Sequence, residues 1–277
     1  MQGKIIKQIS NDYTVKANNI EYDCKARGKF RKMEVSPLVG DEVDFDEKEK
    51  YILNIIPRKN ELNRPRIANV DQAIIITSLK QPDFDTNLLD KLLCIITYNN
   101  IKPIIIFTKS DLLTKEELNN FKEYFNYYKK IGYDCYMNYE LDKIIKIFKD
   151  KVSVFTGQSG AGKSTLLNNL DKSLNIKTNE ISKALNRGKH TTRHTSLLEV
   201  GEGLVADTPG FSALSFGEMT NDLIRDNFIE FNNYRQKCKY KDCMHHKEDD
   251  CEIKNKVKEK VILQSRYDNY INFIIKG

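Results

Sequence analysis

Over residues 1–62, apolar side chains recur at about every second position in short runs broken by turn residues. That is the period of strands with one buried face. The runs are Lys4–Ile9, Asp12–Ala17, Ile20–Lys25, Glu42–Phe45 and Tyr51–Ile56. Asn18-Asn19 and Gly40-Asp41 supply turn chemistry between them. Five short strands in so little chain predict a small barrel of the OB type. An SH3-like barrel is the alternative that strand counting does not separate.

The stretch Asn63-Arg64-Pro65-Arg66 reads as a linker, and the pattern changes after it. Ile74–Thr77 and Ile104–Phe107 are nearly unbroken apolar runs, as expected of parallel strands buried on both faces. Helical patterns cover Asn87–Tyr98, Lys115–Ile131 and Leu141–Lys149. Further strands are predicted at Tyr133–Met137, Lys151–Thr156, Ser196–Val200 and Gly203–Ala206. Strand and helix alternate, so residues 67–216 predict a doubly wound α/β domain. From about Gly217 the pattern is helical and polar. Ile253, Val257, Val261, Tyr270, Ile271 and Ile274 keep near-helical spacing, which predicts a docked C-terminal helix. The expected domains are 1–62, 63–217 and 218–277.

Composition narrows the class only a little. The 277 residues carry 45 Lys and Arg against 39 Asp and Glu, a net charge of +6 that permits a nucleic-acid partner without demanding one. No apolar run approaches the roughly 18 residues of a membrane span. The start, Met1-Gln2-Gly3-Lys4-Ile5-Ile6-Lys7-Gln8, is too polar for a signal peptide. A cytoplasmic monomer without a membrane partner is expected. Its six cysteines then read as thiols or metal ligands rather than disulfides.

The densest chemistry is Gly157-Gln158-Ser159-Gly160-Ala161-Gly162-Lys163-Ser164, which matches G-x-x-x-x-G-K-[ST] between a predicted strand and a helix at Thr165–Leu170. Backbone N–H groups of such a loop curl around a β-phosphate, helped by the helix N-terminus. Lys163 would bridge the β- and γ-phosphates and stabilise the charge that develops in hydrolysis. Ser164 would hold Mg²⁺. A Leu-Ser-Gly-Gly signature of the ABC-type ATPases is absent from residues 165–277. Asp207-Thr208-Pro209-Gly210, at the end of a predicted strand, fits an Asp-x-x-Gly element: Asp207 toward Mg²⁺ and the Gly210 N–H toward the γ-phosphate. Thr108-Lys109-Ser110-Asp111 resembles the Asn-Lys-x-Asp element that reads guanine. Asp111 would accept from guanine N1–H and the 2-amino group, and adenine leaves that carboxylate unpaired. Lys109 would lie along the base and ribose. Thr108 stands where Asn is usual, and its shorter hydroxyl cannot make both of the amide's contacts. Met137-Asn138 occupies the place of a further base-contact segment without matching it.

The base-reading element precedes the phosphate loop by about 50 residues, whereas in ordinary GTPases it follows. That order predicts a circular permutation. Between the loop and Asp207 lies Arg187-Gly188-Lys189-His190-Thr191-Thr192-Arg193-His194. Thr192, with Thr191 as the alternative, would complete the Mg²⁺ shell. Phe211 cannot orient a water, so His190 is the candidate catalytic group. Cys238, Cys243, His245 and Cys251 form C-x4-C-x-H-x5-C, the donor set of one closed, structural zinc site, with His246 able to replace His245. Lys25, Arg27, Lys29 and Arg31 alternate, with Lys32 beside them, and on an extended strand would present one basic face to RNA.

This constellation resembles the circularly permuted ribosome small-subunit-dependent GTPase A family, RsgA. The likeness covers Cys24-Lys25-Ala26-Arg27-Gly28-Lys29-Phe30-Arg31, Val39-Gly40-Asp41, the base element before the phosphate loop, His190-Thr191-Thr192, Asp207-Thr208-Pro209-Gly210-Phe211 and the zinc spacing. The resemblance implies an α/β, circularly permuted P-loop GTPase domain between an OB-type barrel and a helical zinc-binding domain. It implies a GTP hydrolase that binds the small (30S) ribosomal subunit and its 16S rRNA late in maturation, with hydrolysis stimulated by the subunit. It also supports the catalytic role of His190 and the choice of His245. The competing expectation is a nucleotide-gated rRNA-binding module whose hydrolysis is incidental.

Overall fold

A computed structural model describes residues 1–32, 35–63, 66–171, 195–206, 215–217 and 219–276. Strands β1 (Gln2–Ile9), β2 (Asp12–Ala17) and β3 (Ile20–Ala26) form an antiparallel meander. A short helix α1 (Lys29–Lys32) follows, then β4 (Glu42–Asp46) and β5 (Tyr51–Ile55). β3 pairs with β5, β5 with β4, and β4 returns to β1. The ring of five strands therefore closes in the order β1-β2-β3-β5-β4, the OB-like barrel the sequence predicts. Its interior holds Ile5, Val15, Val43, Phe45 and Ile52, the inward positions of the alternating pattern.

The basic run is a correction to the extended face expected for it. β3 ends at Ala26, and Lys29–Lys32 turns as a helix. The turn seats Phe30 in the barrel core. Burying such a ring contributes roughly 1.5–3 kcal/mol, more than the roughly 1 kcal/mol span of strand propensities. Lys25, Arg27 and Lys29 are exposed but do not share one strand face. The Arg27 guanidinium lies over Tyr51, 5.9 Å from its ring centre, and the Lys29 ammonium donates to Asn54 Oδ1 at 2.8 Å. The side chains of Arg31 and Lys32 lie outside the described part.

The stretch expected to be a linker joins a hairpin of β6 (Glu61–Asn63) and β7 (Arg66–Ala68). Gly40 meets it so closely, at φ +90°, that a Cβ there would stand 2.0 Å from the Ala68 carbonyl oxygen. Beside it the fully buried Asp41 accepts from the Leu38 N–H and from Arg58 Nε and Nη2 at 2.7–2.8 Å. The Val39-Gly40-Asp41 motif is thus a structural joint between the barrel and the β6–β7 hairpin.

The second part contains β8 (Gln72–Ser78), α2 (Thr86–Tyr98), β9 (Lys102–Thr108), α3 (Lys115–Lys130), β10 (Asp134–Met137) and α4 (Leu141–Ile144). It continues with β11 (Val152–Gly157), α5 (Lys163–Leu170), β12 (Thr195–Val200) and β13 (Gly203–Ala206). The predicted helix over Leu141–Lys149 is α4 plus a 3-10 turn, Ile145–Phe148. The sheet runs β10-β9-β8-β11-β13-β12, parallel except for the β12–β13 hairpin. Ile74, Ile76, Ile104 and Ile106 pack on one face, while Ala73, Ile75, Ile105 and Phe107 pack on the other. Both faces are dry, which is why these strands read as continuous apolar runs. β12 also pairs antiparallel with β1, through Lys7–Ser196 and Gln8–Thr195, so barrel and α/β sheet are one continuous sheet.

The C-terminal region holds α6 (Asn221–Asp226), α7 (Glu252–Lys258) and α8 (Gln264–Lys276). The single docked helix expected over this tail is thus two, and α8 packs on α2. The contact contains charge. Arg266 and Asp90 are fully buried and Glu230 nearly so. Arg266 Nη1 donates to Asp90 at 2.7 Å and Nε to Glu230 at 2.8 Å, and its guanidinium lies 4.2 Å from the Phe228 ring centre. Tyr128 and Asn269 add bonds of 2.7 Å to Asp90, and Tyr127 one of 3.2 Å to Glu230. Burial opposes the charge of Arg266, but Asp90 and Glu230 outweigh it and hold the guanidinium's pKa well above its ordinary value. No helix among the described residues is long and apolar enough to cross a membrane.

Candidate nucleotide and metal centres

Parallel strands place their C-terminal ends on one side of the sheet, where doubly wound folds bind ligands. β8, β9 and β11 all end there, at Ser78, Thr108 and Gly157. Gly157 has φ +125°, and a Cβ on it would lie 1.9 Å from the Ile76 carbonyl oxygen. Only glycine lets the loop leave the strand at this point. The loop ends at Gly162, and α5 begins at Lys163.

Lys163 Nζ rests 3.4 Å from the Gly157 carbonyl, and burial lowers its pKa. A phosphate beside it would favour the charged form. Ser164 is buried in the first turn of α5, beside Lys163. A hydroxyl next to the lysine of a candidate phosphate loop fits the donor chemistry Mg²⁺ takes with a nucleotide. Asp207, Gly210, Thr192, Thr191, His190 and Phe211 lie outside the described residues.

The candidate base-reading element, Thr108–Asp111, sits beside the candidate phosphate loop. Thr108 is buried, and its hydroxyl donates to the Ala161 carbonyl at 2.6 Å. The shorter side chain thus still ties the end of β9 to the loop. Lys109 adopts a left-handed backbone (φ 60°), which turns the chain into the 3-10 turn Ser110–Leu112 and leaves Asp111 exposed. The Lys109 ammonium donates to the Gln81 carbonyl, and Gln158 Nε2 to the Asp83 carbonyl at 3.0 Å. The segment 79–85, between β8 and α2, is a part of the site that sequence reasoning missed. Its position at a parallel-strand end was the available signal. After β10, Asn138 N–H donates to the Phe107 carbonyl and Glu140 accepts from Met137 N–H at 2.8 Å.

The second centre is the Cys/His cluster. The ligand atoms of Cys238, Cys243, His245 and Cys251 all lie within 4.8 Å of one another. His245 Nδ1 is 3.6 Å from Cys238 Sγ and 3.4 Å from Cys251 Sγ. A tetrahedral zinc with bonds of about 2.0 Å to nitrogen and 2.3 Å to sulfur has donor–donor edges of roughly 3.5–3.8 Å. The four donors therefore fit one zinc. Burial pushes His245 down to about 4, so its ring is neutral and able to ligate, and pushes the Cys243 thiol up to about 12. Two tyrosines of α8, also missed in the sequence, hold the ligand loop: Tyr267 donates to the His245 carbonyl at 2.7 Å and Tyr270 to the Met244 carbonyl at 2.6 Å.

Numbered from the strand that carries the phosphate loop, with β8–β10 placed after β13, the sheet order becomes 2-3-1-4-5-6. Sheet, loop and base element together define a P-loop GTPase fold whose chain is cut and rejoined at new ends. The RsgA GTPase family model matches residues 55–217, and the RsgA N-terminal domain model residues 2–52. The chain is 49% identical to the small ribosomal subunit biogenesis GTPase RsgA 2 of Oceanobacillus iheyensis, across 99% of this chain and 96% of that one. It is 44% identical to the small ribosomal subunit biogenesis GTPase RsgA of Latilactobacillus sakei, across 98% and 94%. The crystal structure of YloQ, a circularly permuted GTPase, superposes with TM-score 0.85 at 38% identity, across 99% of this chain and 94% of that one. YjeQ from Thermotoga maritima gives 0.86 at 31%, across 99% and 97%. The chain belongs to the RsgA GTPase family.

Proposed function

We propose that this chain hydrolyses GTP to GDP and phosphate, and does so on the small ribosomal subunit late in its maturation, with turnover stimulated by the subunit. The observation that carries the reading is the 2.6 Å bond from Thr108 to Ala161, which fastens a guanine-reading element against a phosphate loop. The two relatives quoted are named for small-subunit biogenesis.

The residues divide the work. Asp111 accepts from the guanine edge and Lys109 flanks the base. The backbone of Gly157–Gly162 cradles the β-phosphate, with Ser159, Gly160 and Thr165 lining the same pocket. Lys163 reaches the β- and γ-phosphates, where its charge counters the negative charge of the γ-phosphoryl in transfer. Ser164, Asp207 and Thr192 would hold Mg²⁺, which when bound neutralises the phosphate oxygens. Gly210 donates to the γ-phosphate, and His190 orients the attacking water that Phe211 cannot. Cys238, Cys243, His245 and Cys251 would hold one structural zinc, which supplies folding energy rather than chemistry. Lys25, Arg27, Lys29, Arg31 and Lys32 contribute the charge through which the barrel meets rRNA. Barrel, GTPase domain and zinc domain divide at 1–62, 63–217 and 218–277, and the protein works as a cytoplasmic monomer.

The deciding experiment measures GTP turnover alone, with purified small subunits and with free rRNA. A rise with subunits but not with free rRNA is expected. A rate indifferent to subunits refutes the proposal and leaves a nucleotide-gated rRNA-binding module.

A further inference from the structure

The two halves of the nucleotide site grip one short stretch of chain. Lys109, from the base-reading element, donates to the Gln81 carbonyl, and Gln158, from the phosphate loop, donates to the Asp83 carbonyl at 3.0 Å. The stretch is braced further. Ser78 Oγ donates to the Lys80 carbonyl at 2.8 Å, and the Lys80 ammonium pairs with Glu117 at 2.9 Å. Phe84 packs edge-on against Phe107 and Phe121. Asp85 then caps α2 by accepting from the Leu88 N–H at 3.0 Å.

The first turns of α2 are where α8 is fastened. Asn269 Nδ2 donates to Thr86 Oγ1 at 3.3 Å and to Asp90 at 2.7 Å, and Asn87 Nδ2 donates to Asn269 Oδ1 at 3.1 Å. At about 1.5 Å of rise per residue, Asp90 is only roughly 6 Å along the axis from Thr86. Arg266 and Asp90 have no exposed side-chain surface. Undocking α8 must therefore rehydrate several charges at once, which disfavours a partly undocked state that leaves one of them unpaired.

We propose that residues 79–85 and α2 form a strut that couples guanine-nucleotide binding to the docking of the zinc-bearing C-terminal region, by a route separate from the chain that continues past Gly210. The inference rests on the nucleotide-binding reading above. A nucleotide that orders Lys109 and the phosphate loop fixes Gln81 and Asp83, stiffens the start of α2 and favours the docked state. By reciprocity, docking tightens nucleotide binding by the same factor.

The test uses the full-length, zinc-loaded protein and GDP as the probe. Hydrogen exchange is measured with and without GDP, and GDP affinity by calorimetry. GDP is expected to slow exchange in α8 as well as in α2. Asn269→Ala removes the bonds to Thr86, Asn87 and Asp90 while leaving Arg266 its two carboxylates. It should weaken GDP binding about fivefold or more, the lower range of ordinary coupling, with zinc content unchanged. Asn87→Ala removes one part-buried bond and serves if the first variant does not fold; it should weaken binding in the same direction. Slowed exchange confined to α2, or GDP affinity within about twofold of the parent in the folded variants, overturns the strut. An unmutated protein that binds no GDP overturns the functional reading beneath it.

Discussion

Replacing Arg266 by Met tests whether the buried charges hold the C-terminal region to the GTPase domain. The substitution keeps much of the apolar stem and removes the guanidinium. Asp90 and Glu230 are then left with no counter-charge, at 0% and 2% side-chain exposure. Breaking a buried pair in this way costs about 3–5 kcal/mol. The lost contact with the Phe228 ring adds up to about 2 kcal/mol. Against a total stability of about 5–15 kcal/mol for a folded domain, that is a fifth or more. Arg266→Lys restores a positive charge but cannot fork to both carboxylates, so it should lose about 1.5–3 kcal/mol, the worth of one charged hydrogen bond. Lys102→Met breaks the pair with Asp134 on the surface, where the side chains are 62% and 45% exposed, and should cost no more than about 1 kcal/mol. Urea unfolding of the three zinc-loaded variants should rank them Met below Lys below the surface control. If Arg266→Met costs no more than Lys102→Met, the network carries no docking energy and the reasoning fails.

Four further outcomes are expected. Gly157→Ala sets a methyl against the Ile76 carbonyl at 1.9 Å, which β8 cannot relieve without parting from β11, so calorimetry should detect no nucleotide binding. Thr108→Val leaves the Ala161 carbonyl without its donor, at about 1–3 kcal/mol, and should weaken GDP binding about tenfold, whereas Thr108→Ser should bind as the parent does. Metal analysis should find one zinc per chain, and its removal by a strong chelator should speed hydrogen exchange over 238–251 while α8 stays protected by Arg266. Lys80 and the Thr114 cap hold the Glu117 carboxyl below its ordinary range. Its stabilisation is therefore present above the ordinary glutamate pKa of about 4.3 and is lost as pH falls through the depressed value. Glu117→Gln should flatten the stability profile of acid unfolding in that window.

Periodic and spaced signals were legible in the sequence. Five barrel strands, the strand–loop–helix around Lys163 and the four zinc ligands lie where alternation and spacing put them, because each is decided by residues near in sequence. Local rules failed where distant partners decide. The run Lys25–Lys32 reads as a strand until Phe30 is given a core to enter. Asp90, Glu230 and Arg266 look like ordinary solvated charges, and only a fold that joins residues 176 apart makes them a buried cluster. Thr108 in place of Asn reads as a loss of contacts, yet its hydroxyl finds the phosphate loop because β9 ends beside Ala161. Segment 79–85 carries no motif at all; its carbonyls matter through their place at the end of β8.

The seam between β1 and β12 also sets an order of assembly. Lys16 and Glu199, which pair across it, stand 183 residues apart, so no local contact can announce it. On the ribosome the barrel is complete long before its partner strand is made. Until then the Lys7–Gln8 end of β1 keeps an open edge. That edge is blunted by Lys7 and by Lys16 on the neighbouring strand, whose charges discourage pairing with foreign strands. Closure of the seam must therefore wait until β12 has been synthesised.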